Sequence, residues 1–73
     1  MKKDLRDKII NQLDIGHWTL SSTIARSFNL PIEDVNRVLL PFEKETESIY
    51  RSQRHTRSLR TDYSWIKIQG KLR

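Results

Sequence analysis

The chain has 73 residues, of which 36% are apolar and 32% charged, with Lys+Arg 14 against Asp+Glu 9 and a formal net charge of +5. A chain of this length buries only about 60% of the surface it exposes when unfolded, so its core is thin and a large cleft between two domains is ruled out. There is no cysteine, which excludes disulfide scaffolds and thiolate zinc sites. With no long apolar run and a charged start, Met1-Lys2-Lys3-Asp4, the expectation is one soluble, cytoplasmic domain over residues 1–73, with 70–73 a frayed tail.

Asp4 predicts the cap of a first helix, with Asp7 at capping-box spacing. Leu5, Ile9, Ile10 and Leu13 form its apolar face, and Gly16 is the expected stop. His17-Trp18-Thr19-Leu20 reads as a short strand, with Trp18 at the core rim. Ser21 or Ser22 then caps a second helix carrying Ile24, Ala25 and Phe28, which ends at Asn29, a residue that tolerates left-handed backbone. Leu30-Pro31 opens a third helix with Glu33 and Asp34 in its first turn and a stripe of Val35, Val38, Leu39 and Phe42. Pro41 predicts a kink or restart near Leu40. Beyond Thr46 the period changes to two: residues 48–52 and 64–68 read as strands, with Tyr63 and Trp65 in the core or hairpin packing. The Arg-rich link at 53–61 contains neither Gly nor Pro.

Helix, short strand, helix, tight turn, helix, strand, basic loop, strand is the order of a winged helix. The expected fold class is therefore α+β, a winged helix-turn-helix with three helices, a C-terminal β-hairpin wing and a short strand before helix 2. Ala25 sits at the expected contact of the two helices, Asn29 at the turn, and Leu30 and Val35 in the angle between them. If Val35, Val38, Leu39 and Phe42 face the core, then Ile32, Glu33, Asn36, Arg37 and Leu40 face outward. Such a helix offers its outward residues to the major groove, where Asn reads adenine and Arg reads guanine.

The charge is distributed unevenly. Residues 1–47 carry seven Lys/Arg and eight Asp/Glu, a balance of −1, whereas residues 48–73 carry seven against Asp62 alone, a balance of +6. Residues 20–47 sum to −2, too little cation for phosphate contacts by the helices alone. The wing supplies it: Arg51, Arg54, His55, Arg57 and Arg60 recur about every three residues, and Ser52, Thr56 and Ser58 add neutral donors. Thr23, Arg26, Asn36, Arg37 and Leu40 complete the expected DNA-binding set on the helices.

The segment from Thr23 through Leu39-Leu40-Pro41-Phe42-Glu43-Lys44-Glu45 to Arg51-Ser52, with Tyr63-Ser64-Trp65-Ile66-Lys67, resembles the small fimbrial-operon regulators of the PapI/FaeA type. That resemblance covers about two-thirds of the chain and implies a bacterial winged helix that binds DNA. The sequence departs from the pattern in lacking Gly after Glu43-Lys44-Glu45 and in having Pro41 and a longer wing. Val35-Asn36-Arg37-Val38-Leu39 and Trp65 give a weaker similarity to Zα domains, from which the chain departs in having Leu40 where that family has Tyr.

The expected function is transcriptional regulation by a bacterial, phage or plasmid protein, with the third helix in the major groove of double-stranded DNA and the basic wing on the backbone. A homodimer or a larger DNA-bound partner fits so small a footprint. The alternative is a protein-interaction module, an adaptor or inhibitor of a host complex, that docks through Ile32 and Leu40 on helix 3. His17 and His55 are the only histidines and do not share a helical ligand spacing. No enzyme activity, cofactor, metal, small-molecule substrate or membrane partner is expected.

Overall fold

In a computed structural model, the described residues, 2–68, form three helices and three short strands. Helix α1 spans Lys2–Gln12, strand β1 Trp18–Leu20, helix α2 Ser21–Phe28, helix α3 Ile32–Glu45, strand β2 Ile49–Arg51 and strand β3 Ser64–Lys67. The strands form one antiparallel sheet in the order β1-β3-β2, so the fold is α+β. The tail expected at 70–73 lies outside the described residues.

Hydrophobic periodicity explains the helices. Ile9, Ile10 and Leu13 from α1, Ile24 and Ala25 from α2, and Val35, Leu39 and Phe42 from α3 are buried together with Ile49, Tyr63 and Trp65 from the sheet side. Tyr63 and Trp65 meet edge-on, with ring centroids 5.7 Å apart. Leu5, Phe28, Val38 and Leu40 pack half-buried against this core.

Several local expectations are corrected. Helix α1 begins at Lys2, so Asp4 lies inside its first turn instead of capping it, where its charge still suits the helix dipole. The helix ends at Gln12, before Gly16, because the Leu13 N–H turns back to the Ile10 carbonyl at 3.1 Å and Ile15 forms a parallel bridge with Lys67. Gly16 instead takes a φ of 81° on the way into β1, a conformation that suits glycine. Neither serine caps α2. The capping position is Leu20, and the Asp62 carboxylate accepts from the Ser22 N–H at 2.8 Å and from the Ser22 hydroxyl at 2.9 Å. A distant residue thus satisfies one of the donors left over at a helix start.

The turn between α2 and α3 follows the expectation. Asn29 adopts the left-handed conformation, and the Leu30 N–H closes onto the Ala25 carbonyl at 2.9 Å. Helix α3 runs unbroken through Pro41, with no restart. Pro41 is exposed, so the carbonyl one turn back that loses its partner can be hydrated. Trp18 does not line the core. It is 56% exposed on the outer face of the sheet, since its register partner Ile66 alternates with the inward-facing Trp65.

Candidate nucleic-acid interface

The Arg-rich loop between β2 and β3 is fixed from inside by three side chains. Arg51 leaves β2 pointing at the core side of the sheet, as its alternation with the buried Ile49 requires. Its guanidinium donates to Glu43 Oε1 at 2.9 Å and to the carbonyls of Gln53 at 3.0 Å, Thr56 at 2.8 Å and Arg54 at 3.4 Å. The Tyr63 hydroxyl lies 3.0 Å from the Thr56 carbonyl and 2.9 Å from the Ser58 carbonyl. The Asn36 amide donates to the carbonyls of Leu59 at 2.6 Å and Thr61 at 2.8 Å. Six of the nine loop carbonyls, those of 53, 54, 56, 58, 59 and 61, therefore accept from side chains anchored in the core. A loop with neither Gly nor Pro acquires its shape this way, since backbone polar groups must be satisfied wherever the chain folds back on itself.

Three expected DNA-binding residues, Asn36, Arg51 and Leu40, are placed differently by this arrangement. Asn36 is fully buried and does not face outward. Its Oδ1 accepts from the Ser21 hydroxyl at 2.7 Å, and that hydroxyl accepts in turn from Trp65 Nε1 at 2.7 Å, so sheet, α2, α3 and loop share one satisfied polar network. Arg51 is only 6% exposed and is fully engaged with Glu43 and the loop, with its guanidinium 5.0 Å from the Tyr63 ring centroid. Leu40, also expected outside, is half-buried against the core, and Ile32 is half-buried as well.

The remaining expected residues lie on the surface. Thr23 and Arg26 are exposed on α2, and Arg37 on α3 has a side chain 62% exposed. Arg54, His55, Arg57 and Arg60 are all exposed on the loop. The outward stripe of α3 runs Asp34, Arg37, Pro41, Lys44, one position round from the expected one, because the loop lies along the side that carries Glu33, Asn36 and Glu43. An open groove of about 850 Å³ separates this helix from the loop, with Arg37, Lys44, Arg54 and Arg57 among its cations and Leu40 and Leu59 in its lining.

Carboxylates of α3 tie several of these cations. Glu33 lies 3.4 Å from Arg60, Asp34 2.9 Å from Arg37, and Glu43 3.5 Å from Arg54. Glu43 is nearly buried between Arg51 and Arg54, and its Oε2 makes no hydrogen bond. The exposed pairs are weak and solvent-screened, so a phosphate can replace the carboxylate at Arg37 or Arg60 with little loss. His55 and Arg57 take part in no ion pair among the described residues.

Among the described residues no cluster of three or more His, Asp or Glu side chains could hold a metal ion, and no helix is long and apolar enough to cross a membrane. Comparison with protein-family models, curated proteins and solved structures finds no match to this chain.

Proposed function

We propose that the chain is a winged helix that binds double-stranded DNA as a transcriptional regulator, with the loop at 53–61 as its wing. One observation carries this reading: the loop is held to the core by its carbonyls, which leaves Arg54, His55, Arg57 and Arg60 outside it, beside the Arg37 and Lys44 stripe of α3. Side chains set on a fixed backbone lose less entropy on meeting a phosphate than side chains on a mobile loop. Arg suits the task because its planar fork grips phosphate or enters a narrow minor groove. The base-reading role passes from Asn36 to Arg37, with Lys44 two turns further along the same stripe on phosphate or base edge. Thr23 and Arg26 on α2 face solvent and add backbone contacts. The opposing carboxylates, Glu33 and Asp34, keep non-specific affinity low, so binding rests on the wing.

The test is a fluorescence-anisotropy titration with a labelled duplex over a range of salt. The log of the binding constant is expected to fall linearly with log salt, and Arg54→Ala with Arg57→Ala should flatten the slope by about 2, one unit per lost phosphate contact. Equal binding by the double variant and wild type, or no binding at low salt, overturns the reading.

A further inference from the structure

The outer face of the sheet carries an apolar surface that meets the groove between α3 and the loop only at Tyr50. Trp18 and Tyr50 both pair with Ile66, so the three side chains stand in one row across all three strands. Alternation along the strands places Leu20, Ile68, Ser52 and Ser64 on the same face. None of these seven residues is charged, in a chain where 32% of residues are. Arg54 stands at the rim, with its guanidinium 5.6 Å from the Tyr50 ring centroid.

We propose that this face docks a second copy of the same chain, giving a two-fold symmetric dimer. The first reason is area. Trp18 is 56% exposed, Leu20 43%, and Tyr50 and Ile68 40% each. At roughly 200 Å² for each large side chain, these four leave on the order of 350 Å² of mainly apolar surface. A stable interface takes about 800 Å² from each partner, with an apolar core inside a polar rim, so the patch supplies the core and Ser52, Ser64 and Arg54 begin the rim. The second reason is charge. Two copies at +5 each repel, and an uncharged face is where they can approach at least cost. The third is self-complementarity: a two-fold axis over Ile66 lays Trp18 of one copy against Tyr50 of the other, as an isologous contact requires. Because the helices pack on the opposite face of the sheet, the outward stripe of α3 stays open in both copies. The inference holds whether or not the chain binds DNA.

Sedimentation equilibrium of the full chain across the micromolar range tests it. The wild type is expected to shift from monomer to dimer mass with concentration. Trp18→Ser is expected to raise the dimer dissociation constant about tenfold or more, as loss of a central aromatic anchor does. Ile66→Glu is expected to abolish the dimer. Circular dichroism of both variants confirms folding, and Trp18→Ser, at an exposed site, keeps the test decisive if Ile66→Glu unfolds. A wild type that is monomeric at every concentration, a mass above the dimer, or a folded Trp18→Ser that dimerises as tightly as wild type overturns the proposal.

Discussion

The α2–α3 pair and the 53–61 loop lie side by side, yet different forces hold them. The helices are joined by buried apolar side chains, Ile24, Ala25, Val35 and Leu39, through a turn whose one special conformation falls on Asn29. The loop buries no large apolar side chain of its own, with Leu59 only half-buried, and hangs on donors from Asn36, Arg51 and Tyr63. Apolar burial is non-directional and tolerates approximate placement, whereas a donor–acceptor lattice works only when each member is in place. Two of the polar residues expected at a DNA surface, Asn36 and Arg51, instead shape the loop that carries Arg54, His55, Arg57 and Arg60.

Substitutions in each region separate the two forces. Leu39→Ala, in the helical core, should lower unfolding free energy by about 4 kcal/mol, seen as a lower urea midpoint with the slope unchanged. For so small a domain that is a large share of total stability, and helices and loop should be lost together. Asn36→Ala should lower it by about 2 kcal/mol, since it strands the carbonyls of Leu59 and Thr61 and removes the acceptor of Ser21. Its signature is local: amide chemical shifts at 57–62 should move more than those of α1. Arg60→Ala should change stability by less than about 0.5 kcal/mol, because its pair with Glu33 is exposed, while duplex binding weakens at low salt. A stability loss at Arg60 as large as that at Asn36 would erase the distinction between the loop's scaffold and its surface charges.

Much of the fold was legible because the buried stripe of α3 and the alternation of β2 and β3 are direct consequences of side-chain geometry. The order of elements and the turn at Asn29 followed from the same signals. The site was only partly legible. Arg37, Arg54, Arg57 and Arg60 are on the surface as their charge suggests, and the polar His55 lies beside them. The stripe of Val35, Val38, Leu39 and Phe42 points Asn36 outward, whereas the buried arc of α3 is shifted to take in Asn36, with Glu43 at its margin, under the loop. No periodicity in α3 announces that a loop will cover its flank. Arg51 did carry a signal: in a period of two it falls on the side of Ile49, and Lys67 falls likewise on the side of Trp65. Charge alone argued for exposure, but alternation was the stronger constraint, and Lys67 satisfies it by donating to the Ile10 carbonyl at 3.1 Å. Asp62 as a remote cap for α2 had no local signature, since it lies forty residues from Ser22.

The most direct test of the prebuilt loop is ¹⁵N relaxation of the free protein, read as backbone order parameters for residues 54–61 against those of α3. Side-chain donors on six of the loop's carbonyls predict values close to those of α3, at about 0.8. Values below about 0.6 across these residues would show a loop that moves freely on the nanosecond scale and would contradict the account.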